Sequence, residues 1–234
     1  MKRALIAAAL AASALAPTAA DATDFDVEIT NLTNGIYFTP FLAAAHPAGT
    51  NLFVVGQPAS ANLQAMAEGG SIDGLVADVT ALGATFVANP AAGLLPPATS
   101  TTFNLNTDGT TNDRLTIVAM LLPTNDAFAG LNAIEIPTEP GTYVYDVPAY
   151  DAGTEANDER LTGGGAPGAP GMPADPGGLT GTDGTGAAAA DTNTNVHIHR
   201  GALGDSDATG GSSDLDNRVH RWLNPVVRVT LTVR

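Results

Sequence analysis

The chain has 234 residues, no cysteine and a formal net charge of −15, with 24 acidic side chains against 9 basic ones. Lack of cysteine removes disulfides, thiolate nucleophiles and thiolate metal ligands from consideration. A chain this acidic repels phosphate backbones and anionic lipid, so nucleic acid is not an expected partner.

Met1-Lys2-Arg3, the apolar run Ala4 to Ala16 and the small residues around Ala20 and Ala22 have the make-up of a secretory signal peptide over 1–22. The apolar run is shorter than the roughly 20 residues a spanning helix needs. Residues 23–234 are then one exported domain without a transmembrane segment, long enough to bury a core without covalent staples. A monomer in the periplasm, at the cell surface or in the medium is the expectation.

Asp26-Val-Glu-Ile-Thr30 alternates polar and apolar side chains, the pattern of a half-buried strand, and Gly35-Ile-Tyr-Phe-Thr39 continues it after an Asn34-Gly35 turn signal. Pro40 to Ala48 reads as an irregular crossing, and Asn51-Leu-Phe-Val-Val55 as a short strand ended by Gly56. Ala59 to Glu68 is the best helix, with Ser60 as its cap and Leu63, Met66 and Ala67 on one face. Ile72 to Leu82 is open between helix and strand and leads to Thr85-Phe-Val87. Pro90 to Pro97 is a loop, Thr101-Thr-Phe-Asn-Leu105 a strand, and Arg114 to Leu122 a strand apolar enough to be buried on both faces. Leu131 to Ile136 and Gly141 to Asp146 follow as strands. Residues 161–191 are dominated by Gly, Ala, Pro, Thr and Asp and read as a mobile insertion within the domain, because strands resume beyond it. Asn195-Val-His-Ile-His199 alternates again, and the last strand places Val227, Val229, Leu231 and Val233 on one face. The fold class is all-β. Two antiparallel sheets packed as a β-sandwich, with one or two short helices, fit the spacing of turns; a closed barrel is the alternative.

Two acidic loops follow strands and so converge at one end of a sheet: Pro123-Thr-Asn-Asp126 and Tyr150-Asp151-Ala-Gly-Thr-Glu155. Three carboxylates meeting there, with backbone carbonyls and water, would form the hard oxygen cage that Ca²⁺ prefers. Acids that merely cap turns and face water are the other reading of the same residues.

These loops carry a resemblance. A Pro-x-x-Asp loop closing an apolar strand, followed by Tyr-Asp-Ala-Gly-Thr-Glu, is similar to the spondin N-terminal domain family, which includes extracellular-matrix proteins and single-domain bacterial secreted proteins. Phe25 to Asn31, the His46-Pro47 element, Leu52 to Gly56, the segment Leu63 to Gly70 and Trp222 to Thr230 resemble further parts of that domain. The resemblance implies a C2-like sandwich and Ca²⁺ ligation by Asp126, Asp151 and Glu155. It also implies a role in adhesion, or in binding an extracellular protein, a matrix component or a glycan. Two departures stand out: Ala127 where the family has an aromatic residue, and Glu155, one methylene longer than the usual Asp.

His197 and His199 share one side of a strand, and His220 is a possible third imidazole for a Zn²⁺ or Cu²⁺ site, which would make the chain a metal-dependent enzyme. Histidines hydrogen-bonded to neighbouring loops are the plainer reading. Ser60 lacks the Gly-x-Ser-x-Gly elbow of hydrolases, and Gly163-Gly-Gly165 has no trailing Lys and no strand-to-helix setting for a phosphate loop. A non-catalytic calcium-binding module is the expected function.

Overall fold

The computed structural model describes residues 23–234; the expected signal peptide lies outside them. Strands β1 (Asp24–Asn31), β5 (Ser100–Asn106), β8 (Gly141–Val147) and β11 (Val227–Val233) form a four-stranded sheet in the order β5-β1-β11-β8. Alternation decides its faces. Phe25, Val27 and Ile29 pair with Val233, Leu231 and Val229, and all six point into the core. A slip of one residue would turn each of them to solvent, so the register is strongly set. Strand β11 lies between β1 and β8, so the middle of this sheet comes from the end of the chain.

The second sheet has seven strands: β2 (Tyr37–Phe38), β3 (Leu42–His46), β4 (Thr85–Ala88), β6 (Arg114–Leu122), β7 (Ala127–Glu135), β9 (Ala149–Asp151) and β10 (His197–Ile198). Their order is β10-β9-β7-β6-β3-β4, with β2 on β6, and all pairs are antiparallel. One face packs on the four-stranded sheet through Leu115, Ile117, Ala119 and Leu121. The other is covered by helices α1 (Ala61–Gly69) and α2 (Asp73–Ala81), which set Leu63, Met66, Leu75 and Val79 against Val118, Met120 and Phe128. Cover on both faces is why β6 reads as an unbroken apolar run. Ser60 caps α1, its Oγ accepting the Leu63 N–H at 3.1 Å.

Four segments differ from the sequence reading, among them Ala149–Asp151, expected within a loop at Tyr150 and Asp151 but forming strand β9. Residues 42–46, expected as an irregular crossing, are the wholly buried strand β3; Leu-Ala-Ala-Ala-His has no two-residue period because both of its faces are covered. Residues 51–55, expected as a strand, are not one. Phe53 instead plugs into Phe128 and Tyr150 with ring centroids 5.1 Å from each, and its carbonyl accepts Asn132 Nδ2. Strand β7 starts at Ala127, four residues early, and needs Gly130 under that plug: a Cβ there would lie 2.6 Å from Phe53 Cζ.

The stretch 161–191 contains no helix or strand, only an isolated bridge between Leu161 and Met172. Carboxylates tie it down. Asp214 accepts the N–H groups of Leu161 and Gly184, Asp175 those of Gly177, Leu179 and Thr180, and Glu68 that of Gly168. Met172 is fully buried in the sandwich core.

Candidate metal centre

The β6–β7 turn, 123–126, and the loop after β9 meet because β7 and β9 pair, with Ala127 opposite Asp151. Thr124 fixes the turn: its hydroxyl donates to the Leu121 carbonyl at 2.6 Å and accepts the Ala127 N–H at 3.2 Å. Asp126 then points into the other loop, where its Oδ2 accepts the N–H groups of Thr154 (2.9 Å) and Glu155 (3.1 Å) and the Thr154 hydroxyl (3.2 Å). The loop can wrap Asp126 because Gly153 has φ +71 and a Cβ there would strike the Thr194 backbone at 2.6 Å.

Asp126 and Asp151 are 0 % and 1 % exposed, so each carboxylate has left bulk water. Burial, with the nearby Asp151 charge, pushes the Asp126 carboxyl up to about 7, against the pull of the Thr154 and Glu155 bonds. Asp126 Oδ1 is buried and has no hydrogen-bond partner. Asp151 is better supplied: Oδ1 accepts the Gly153 N–H and Oδ2 accepts Asn157 Nδ2 at 2.7 Å.

Glu155 adds its backbone N–H to this cluster, but its carboxylate turns elsewhere. Oε1 accepts Asn125 Nδ2 at 3.0 Å and the Gly171 N–H, while Oε2 is buried without a partner. Burial raises its pKa, the bonds from Asn125 and Gly171 lower it, and the charges of Glu68 and Asp158 raise it further. Asp126 and Asp151 are therefore brought together with the Glu155 backbone, and the third carboxylate faces Glu68 and Asp158. Among the described residues no group of three or more His, Asp or Glu side chains is arranged to hold a metal ion.

Two asparagines that the sequence reading did not single out organise the site. Asn125 donates to Glu155 and Asp158 and accepts the Glu159 N–H at 3.1 Å. Asn157 donates to Asp151 and Asp191 and pairs its Oδ1 with His199 Nε2 at 2.9 Å. Neither lies in a pattern that reports a buried role; only the fold reveals them.

The histidines divide. His197 and His199 place their Nε2 atoms 3.7 and 4.0 Å from Asp151 Oδ2. His199 Nδ1 accepts the Gly201 N–H at 2.9 Å, so Nε2 carries the proton given to Asn157 and no lone pair is left for a metal. Burial drives its pKa down to about 4, and the Trp222 ring lies tilted against it with centroids 5.2 Å apart. His220 sits among Asp175, Asp216 and Glu159 instead, with Nδ1 accepting the Asp216 N–H. His220 Nε2 is buried without a hydrogen-bond partner.

A family model described as Spondin_N matches residues 24–159. The matched span holds both acidic loops and ends before the terminal strand. No curated protein matches the chain.

Proposed function

The chain belongs to the Spondin_N family of extracellular, non-enzymatic domains, and from that premise we propose that it is an exported binding module whose loop end takes up Ca²⁺ between Asp126 and Asp151. The observation that carries this reading is Asp126 Oδ1, a carboxylate oxygen shut off from water, lacking any donor and set beside a second buried acid. The donors are all hard oxygens, which suit Ca²⁺; Mg²⁺ is disfavoured because it gives up its waters reluctantly. A bound cation supplies the counter-charge that two adjacent buried carboxylates otherwise lack. Asp126 holds the β6–β7 turn against the 152–155 loop through Thr154 and Glu155, and Asp151 holds the same loop through Gly153 and Asn157. Neutralising both acids would lock these loops as one rigid end of the sandwich.

The partner this end would present to is an extracellular protein, a matrix component or a glycan, and adhesion is the corresponding role. No helix of the described residues is long and apolar enough to cross a membrane. The test is thermal unfolding of chelator-treated protein with Ca²⁺ or Mg²⁺ added. Ca²⁺ should raise the midpoint, Mg²⁺ should do so weakly, and the Asp126→Asn, Asp151→Asn pair should abolish the rise. Equal curves in calcium and in chelator would end the proposal. Stoichiometric zinc or copper in the purified protein would favour the histidine-based enzyme instead.

A further inference from the structure

Beside the 153–156 loop opens a cavity of about 440 Å³, within the range of small-molecule sites. Thr154, Glu155, Asp158 and Arg160 form one wall; Pro170 and Ala188, from the Gly/Pro-rich stretch beyond the family match, form the other. The stretch 158–160 is pinned from behind. Glu159 is buried and accepts the N–H groups of Leu203 and Gly204 and the Ser213 hydroxyl at 2.6–2.9 Å. Its neighbours Asp158 and Arg160 both line the cavity, over Gly186: a Cβ there would lie 3.9 Å from Asp158 Cβ and 3.7 Å from Arg160 Cδ.

The charges of that wall are not spent on each other. Arg114, Arg200, Arg218, Arg228 and Arg234 all pair with carboxylates, whereas Arg160 has no ion pair among the described residues, although the chain carries 24 acids. Asp158 commits Oδ1 to Asn125 and to the Arg160 N–H, and no described residue donates to its Oδ2. The Arg160 guanidinium, without an ion pair, and Asp158 Oδ2, without a donor among the described residues, thus line one small space.

An anionic ligand would meet Asp158, a purely cationic one would meet Arg160, and an apolar one would strand both. A ligand bearing both charges satisfies each, and guanidinium matches carboxylate as a two-bond fork. We propose that this cavity binds a small zwitterion, a free α-amino acid or a short peptide, its carboxylate paired with Arg160 and its ammonium with Asp158. This deepens the binding-module reading by naming a ligand class, and it requires no bound cation.

The test is calorimetry on the full chain, in calcium and in chelator. The probes are the standard free α-amino acids, L-alanyl-L-alanine, its N-acetyl and C-terminal amide forms, and galacturonic acid. At least one zwitterion should bind saturably at one site, and Arg160→Met and Ala188→Trp should each weaken it by about threefold or more, as loss of an exposed charge pair or of the space predicts. Blocking either charged end of the ligand should have the same effect. Unchanged thermal midpoints establish that both variants fold. No binding by any zwitterion, equal binding of the blocked forms, indifference to Arg160→Met, or binding of galacturonic acid instead would overturn the assignment. Zwitterion binding in chelator together with no calcium-dependent midpoint shift would remove the cation site and leave this one standing.

Discussion

Asp126→Asn should change stability in opposite directions according to pH and calcium. The Asp126 carboxyl titrates at about 7 in the folded protein against an ordinary 3.8. Because the folded value is raised, its contribution to stability is fully present below 3.8 and is lost as pH rises through about 7. The difference corresponds to roughly 4 kcal/mol, the upper limit on what keeping this carboxylate ionised costs the metal-free protein in alkaline buffer. Asparagine keeps one oxygen for the Thr154 and Glu155 donors, but sets an amide N–H group where Oδ1 has no partner, costing about 1–3 kcal/mol. In chelator near pH 8.5 the variant should therefore gain about 1–3 kcal/mol, and near pH 5 it should gain nothing. For a domain of this size each kcal/mol moves the melting midpoint by about 2–4 °C, so scanning calorimetry at the two pH values resolves the effect. Adding calcium at the higher pH should reverse the order, because only the unmutated protein gains ligand-linked stability. A loss of equal size at both pH values in chelator would show that Asp126 is a structural hydrogen-bonding residue and refute the reasoning.

Further outcomes follow from the same geometry. The His199 ring should titrate near 4 rather than at its ordinary 6.5; its contribution to stability is full above 6.5 and lost as pH falls toward about 4, and NMR of the imidazole protons checks the midpoint. Asn125→Ala should destabilise by about 1–3 kcal/mol in urea unfolding, because it leaves the buried Glu159 N–H without its acceptor and takes one donor each from Glu155 and Asp158. Glu159→Gln should cost about 1–3 kcal/mol and raise amide hydrogen exchange at Leu203 and Gly204, whose donors it accepts.

Much of this was legible before folding, and for definable reasons. Alternation located β1 and β11, whose outer sides face water, and the apolar run of β6 announced cover on both faces. Asp126 meets Asp151 through the pairing of β7 with β9, a three-residue strand too short to show a period, whereas Gly141–Asp146, the strand read before that loop, belongs to the other sheet. Strand β3 was hidden because three consecutive alanines carry no period once both faces are buried. The direction of the Glu155 carboxylate was hidden for another reason: Asn125 and Gly171 set it, and Gly171 belongs to a stretch whose composition shows no structure. That stretch is organised by carboxylates accepting backbone N–H groups, which apolar patterning does not register. Asn157 belongs to the same class, a buried polar hub with no spacing to betray it.

Native mass spectrometry of the full chain after chelation and exchange into calcium tests the central claim most directly. The account predicts one tightly held calcium per chain in the unmutated protein and none in the Asp126→Asn, Asp151→Asn variant. A chain that keeps no calcium, or a variant that keeps as much as the original, would contradict it.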